Sequence, residues 1–169
     1  QELLARIRTH LTLSQMNNAY ARFVPRAFLD QLGQESILDV RLGDQIQKEM
    51  TVMFSDVRSF TTLSENMTPE ENFRFVNRLL SGLGPIIRKH NGFIDKFLGD
   101  GVMALFPDSP DDAVKAAIEM QKTLVEFNQD RPKNAKVRIG IGLHTGNLML
   151  GTVGEELRME GTVISDVVN

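Results

Sequence analysis

The chain of 169 residues has no cysteine, no tryptophan and one tyrosine, and its three histidines, His10, His90 and His144, lie far apart. Without cysteine there is no disulfide, no thiolate nucleophile and no Cys-ligated zinc, and histidines so scattered make no local metal motif. A metal bound here is expected to be a hard ion on oxygen ligands. Charge of one sign is also lacking: 19 Lys plus Arg against 22 Asp plus Glu leave −3, so no basic field is available to hold nucleic acid. No apolar run approaches the roughly 18 residues of a membrane span, and no signal-peptide pattern opens the sequence. The expectation is a soluble, cytoplasmic piece that contacts neither nucleic acid nor membrane, although it could be cut from a longer membrane protein. No G-x-x-x-x-G-K-[ST] occurs, and "GIGLHTG" has the wrong spacing for G-x-G-x-x-G, which excludes P-loop and Rossmann sites. What is abundant is core material: 41% apolar residues, with 10 Phe and 8 Met, enough for one domain at about 150 residues each.

Residues 1–47 read as a helical connector whose charges cancel, Arg6, Arg8, Arg22, Arg26 and Arg41 standing against Glu2, Asp30, Glu35, Asp39 and Asp44. Leu3, Leu4, Ile7 and Leu11 form one helical stripe, and Tyr20, Phe23, Val24, Phe28, Leu29 and Leu32 suggest a second helix. Such stripes pack either on their own domain or across a dimer. The body, residues 48–169, opens with "KEMTVMFSD", a strand apolar on both faces and therefore central. Thr68-Pro69-Glu70-Glu71 carries the N-cap, first-turn proline and capping-box glutamate of a helix with Phe73, Val76, Leu79, Leu80, Leu83, Ile86 and Ile87 inward, stopped by Asn91-Gly92. Lys89 and His90 read as charges compensating that helix end.

"FIDKF", "LGDG" and "VMALF" spell strand, tight turn and strand, with Asp100 in the turn. Ser109-Pro110-Asp111-Asp112 caps a second long helix with Ala113, Ala116, Ala117, Met120, Leu124 and Phe127 inward. "KVRIGIGLHTG" is a strand whose "HTG" is expected to turn into a further strand, "NLMLGTV", with His144 a turn residue. Strand, helix, hairpin, helix, hairpin predicts an α+β sandwich, a mostly antiparallel sheet with helices on one face.

Asp56 directly follows the central strand, and Asp100 occupies the turn of the next hairpin. If their strands are neighbours, both carboxylates reach one edge of the sheet, where they repel unless protonated or bridged by a divalent metal. Nucleotidyl or phosphoryl transfer is chemistry that paired metals serve. Each aspartate taken alone reads first as a strand-end or turn residue; it is their position together with "GDG" that points to a site. The amides of Val57, Arg58, Ser59, Phe60 and Thr61 could face a phosphate at a helix start.

"FSDVRSFT", "GFIDKFLGDGVMALF", "GIGLHTG" and "GTVISDVVN", in this order, resemble the catalytic domain of a class III adenylate/guanylate cyclase from about Lys48 onward. The resemblance implies a ferredoxin-like palm fold and a head-to-tail homodimer with shared active sites. It implies that Asp56 and Asp100, with the Val57 carbonyl, hold two Mg²⁺ (or Mn²⁺) ions while the ribose 3′-hydroxyl of ATP attacks the α-phosphorus and pyrophosphate leaves. Arg158 falls where the family places a phosphate-binding arginine. Lys96 and Thr162 match the pair that reads adenine, where a guanine reader carries Glu at the first position. Asn169 matches the asparagine that orients the ribose.

Ser59 and Ser165 replace glycines common in the family. The transition-state arginine four residues past that asparagine, a later phosphate-binding lysine and the closing helix and strands fall outside the chain, so weak nucleotide binding and low turnover are expected of this piece. A guanylate cyclase and a non-catalytic dimerisation module remain as alternatives. "QELLARIRTHLTLSQ" and "NNAYARFVPRAFLDQLG" resemble the last helix of a receiver domain and its linker, implying an N-terminal regulatory domain in a phosphorylation-regulated parent.

Overall fold

A computed structural model describes residues 2–65, 67–155 and 157–165. Helix α1 (Glu2–Tyr20) leads through a turn to the short helix α2 (Arg26–Leu32) and then to strand β1 (Gln45–Val57). After β1 come α3 (Phe60–Ser64), α4 (Pro69–Lys89), the hairpin β2 (Phe93–Leu98) and β3 (Gly101–Phe106), α5 (Pro110–Phe127), and the hairpin β4 (Ile139–Glu155) and β5 (Arg158–Ile164). The five strands form one sheet in the order β2-β3-β1-β4-β5, every neighbouring pair antiparallel. The sequence-level α+β expectation matches this arrangement. No helix among the described residues is long and apolar enough to cross a membrane.

The alternation along β1 sets the two faces. Met53 and Val57 point under α4 and α5, joining Leu79, Leu83, Ile87, Ala113, Ala116 and Met120. Met50 and Val52 point the other way, into a second cluster with Phe93, Met103, Leu105, Leu148 and Leu150, on which α2 places Phe28. Thr68 and Glu71 make the capping box, Glu71 N–H donating to the Thr68 hydroxyl at 3.2 Å and Thr68 N–H to the Glu71 carboxylate at 2.8 Å. At the other end of α4, Asn91 takes a left-handed φ of 59° while Gly92 N–H bonds Ile87 and Asn91 N–H bonds Arg88, a Schellman stop. Gly92 is required there, because a Cβ would lie 2.5 Å from the Phe106 ring.

Three local expectations are corrected. "HTG" makes no turn: β4 runs unbroken for 17 residues, His144 standing opposite Val52 in its middle, and the hairpin comes later, after Glu155. His144-Thr145-Gly146 suggested a turn, but pairing with β1 over thirteen positions holds the strand extended. On α4 the inward aromatic is Phe75, not Phe73, which is 74% exposed, because Phe75 completes a cluster with Phe60 and Phe127. In the connector, Tyr20 closes α1, Phe23 is 86% exposed and Val24 precedes the N-cap, so none of the three belongs to α2, whose start is set by Pro25. Helix α1 buries no residue against the rest of the chain.

Phe28 is 2% exposed and rests on Gly161, where a Cβ would come within 2.8 Å of its ring. Phe28→Ala is expected to destabilise the fold by about 3–5 kcal/mol through the cavity it leaves, measured as a lower midpoint in urea unfolding.

Candidate active site

On β1, Asp56 shares the face of Met50, Val52 and Phe54, and because the strand ends at Val57 its carboxylate is exposed. The β2–β3 turn is only Gly99 and Asp100, Gly99 taking a φ of 65°, between the paired residues Leu98 and Gly101. Since Ser55 stands opposite Val102, this turn arrives beside the last residues of β1. There Val57 N–H donates to the Asp100 carboxylate at 3.2 Å. Gly101 allows the approach: a Cβ on it would sit 2.7 Å from the Ser55 carbonyl and 3.3 Å from Asp56 Oδ1. Burial pushes the Asp100 carboxyl above its usual range, and the Asp56 charge pushes it further; bonds from main-chain amides, Val57 among them, work against both.

Arg58 continues past the strand end, its N–H donating to the Arg138 carbonyl at 2.8 Å. Its guanidinium lies over Gly140, where a Cβ would be 2.7 Å from Nε, and Gly140 pairs with Asp56. Ser59 then turns the chain with a left-handed φ of 56° into α3. A β-carbon is disfavoured in this conformation, which explains why glycine suits the position. Phe60 anchors the short helix by stacking on Phe75, ring centroids 6.3 Å apart. The row of five phosphate-facing amides needs correction, because the amides of Val57 and Arg58 are already engaged by Asp100 and Arg138. Ser59, Phe60 and Thr61 remain, at the start of α3 where amides have no intrahelical acceptor.

Lys96 and Thr162 lie elsewhere. Lys96 on β2 stands opposite Met103 and is half-buried, its ammonium 3.5 Å from Asp95 and 3.5 Å from Glu160. Glu160 lies on β5 two residues before Thr162, which stands opposite Gly151. The structure therefore brings Lys96 to the strand that carries Thr162. Among the described residues, no hydrogen bond or ion pair joins either of them to Asp56 or Asp100. Arg158, opposite Glu155, is at the exposed tip of the β4–β5 hairpin, the far end of β4 from Gly140. Asn169 lies outside the described residues. Asp95 and Glu160, both in contact with Lys96, went unread in the sequence; the one available signal was an acid interrupting the apolar run "FIDKF".

The strain at Ser59 is measurable. Ser59→Val should lower stability by about 2 kcal/mol, while Ser59→Gly should leave it unchanged or raise it by up to about 1 kcal/mol, both read from urea unfolding curves.

Residues 43–169 match the family described as the adenylate and guanylate cyclase catalytic domain. An adenylate cyclase of Anabaena cylindrica is 40% identical over 164 residues, covering 93% of this chain and 33% of its own length. The terminal-differentiation-specific adenylate cyclase of Dictyostelium discoideum is 38% identical over 93% of the chain and 8% of its own length. The chain thus spans a third or less of these relatives. Among solved structures, a bacterial light-regulated adenylyl cyclase superposes with a TM-score of 0.80 at 28% identity, over 98% of this chain and 50% of that one. The guanylyl cyclase Cya2 gives 0.65 at 34% identity, over 76% of this chain and 68% of that one. With the sheet order above and the paired aspartates at its end, these likenesses make the fold a cyclase palm, and the chain belongs to the adenylate and guanylate cyclase catalytic-domain family.

Proposed function

We propose that this chain is the catalytic domain of an adenylate cyclase that converts ATP to 3′,5′-cyclic AMP and pyrophosphate in cytoplasmic signal transduction. The observation that carries the reading is the Asp100 carboxylate folded back onto the end of β1 beside Asp56. In the reaction the ribose 3′-oxygen bonds to the α-phosphorus, the bond from that phosphorus to the pyrophosphate oxygen breaks, and the hydroxyl proton is released.

The donor set fits hard divalent ions. Asp56 and Asp100 approach as two carboxylates with a raised pKa at one of them, which is the electrostatic situation a cation relieves. Among the described residues no third acidic or histidine side chain joins them, as suits Mg²⁺, which takes one or two carboxylates and fills its sphere with phosphate oxygens and water. Asp56, Asp100 and the Val57 carbonyl would hold two Mg²⁺ or Mn²⁺ ions, which supply charge stabilisation for the phosphates and the developing alkoxide. The chain's own part is positioning. The amides of Ser59, Phe60 and Thr61 receive phosphate oxygens, and Arg58, seated on Gly140 beside Asp56, adds a cation to the same corner.

Lys96 donates to the adenine ring N1 and Thr162 engages the 6-amino group; guanine presents a donor where Lys96 needs an acceptor, so this pair supports ATP over GTP. Arg158, on the hairpin tip, and Asn169 are read as phosphate and ribose contacts. Because Lys96, Thr162 and Arg158 stand apart from the two aspartates within one chain, the reading includes a homodimer whose sites are shared between subunits. Residues 1–47 are read as the connector from an N-terminal regulatory domain.

The full-length protein should make cyclic AMP from Mn²⁺-ATP. Asp56→Asn and Asp100→Asn should each lower turnover by at least about 10² with unchanged melting temperature; near-normal turnover in either removes the ligand assignment. Lys96→Glu should shift preference toward GTP. An inactive but dimeric wild-type protein would favour the non-catalytic module, and a wild type preferring GTP would favour a guanylate cyclase.

A further inference from the structure

Strand β2 contains one residue too many. Ile94 stands opposite Ala104, whose side chain belongs to the core beneath α4 and α5. Residues two apart on a regular strand share a face, so an unbroken β2 would drive Lys96 into that core. Instead the register shifts between Ile94 and Lys96, and Lys96 stands opposite Met103, which belongs to the cluster on the other face. Asp95 is the inserted residue of a β-bulge, a device that re-aims the side chain following it.

Its own side chain is only 4% exposed, and its Oδ2 is shielded from solvent without a hydrogen-bond donor among the described residues. Among the described residues the cation within 4 Å of it is the Lys96 ammonium, at 3.5 Å, and that ammonium is equally 3.5 Å from Glu160 on β5. Burial pushes the Asp95 carboxyl above its usual range; Lys96 opposes the shift and the Glu160 charge adds to it. A buried carboxylate so poorly satisfied contributes little to stability, so its effect is to be sought in what it does to Lys96. Lysine is a point charge on a flexible stem. Between one buried carboxylate and one on β5, that stem is confined to the neighbourhood of β5, the strand that carries Thr162.

We propose that Asp95 is a positioning residue for base recognition: its bulge turns Lys96 onto the face away from α4 and α5, and its carboxylate, opposite Glu160, fixes the ammonium that meets the adenine ring. This rests on the base-reading role of Lys96 given above.

In the full-length protein, Asp95→Asn keeps the size of the side chain and removes its charge. It should lower kcat/KM for ATP about tenfold and the ATP:GTP preference by a similar factor. Lys96→Met separates the two ideas. If Lys96→Met leaves the ATP:GTP ratio unchanged, the base-reading role fails; if Lys96→Met abolishes the preference while Asp95→Asn leaves it intact, the positioning role alone is overturned.

Thermal melts give a readout independent of catalysis. Removing Lys96 strands a buried carboxylate, so Asp95→Asn should be more favourable by about 3 °C in the Lys96→Met background than in the parent. Equal shifts in the two backgrounds would show that the two side chains are not paired and would defeat the proposal.

Discussion

The hydrogen bond from Val57 N–H to the Asp100 carboxylate fixes the distance between a strand end and a turn that carry like charges. Neither partner could arrive there by local preference alone. The β1–β3 register, from Thr51 opposite Phe106 to Ser55 opposite Val102, delivers the β2–β3 turn to the end of β1, and Gly101 removes the Cβ that would strike the Ser55 carbonyl. A slip of one residue would exchange the faces of β1, sending Asp56 toward the core under α4 and α5 and bringing Met53 out of it. The apolar alternation of β1 is thus what holds the charged pair in register: burial of Met50, Val52, Met53 and Val57 selects one pairing, and that pairing sets the two carboxylates side by side.

The central part of this arrangement was legible in the sequence because it rests on short-range signals. An apolar strand ending in Asp56, a "GDG" turn and two capped helices each leave a pattern within ten residues or so. What failed depends on partners distant in sequence. "HTG" carries turn residues, yet those positions lie flat because β1 supplies a partner along thirteen residues of β4. The choice of Phe75 over Phe73 is made by Phe60 and Phe127, with Arg131 lying over the Phe75 and Phe127 rings. Likewise, the amide row after Asp56 looked uniform, but its first two members are taken by Asp100 and Arg138, residues 43 and 80 positions away. The bulge at Asp95 is visible only against β3, since a register shift has no meaning within one strand.

The carboxylate pair and the pair proposed to read the base consequently stand on different mechanical footings. Asp56 and Asp100 sit at the end of β1 and β3, paired central strands whose buried side chains belong to both apolar clusters. Lys96 and Thr162 sit on β2 and β5, the two outermost strands in the order β2-β3-β1-β4-β5. An ion pair of 3.5 Å between Lys96 and Glu160 nevertheless joins those outer strands. A flat sheet would hold them four strand spacings apart, so the contact requires the coiling that a right-handed twist accumulates across strands and along the 17 residues of β4. Phe28 of α2 lies in the resulting concavity, against Gly161 and in the same cluster as Met103, the residue opposite Lys96. The relative position of β2 and β5 therefore depends on curvature and on one aromatic ring from the connector, whereas that of the aspartates depends on a ladder of main-chain hydrogen bonds. A ladder is stiff; curvature held by one inserted ring and a solvent-accessible ion pair yields more readily. Within this fold the outer strands that carry Lys96 and Thr162 are the softer part of the structure, and changes in the spacing of the aspartates would have to break the sheet.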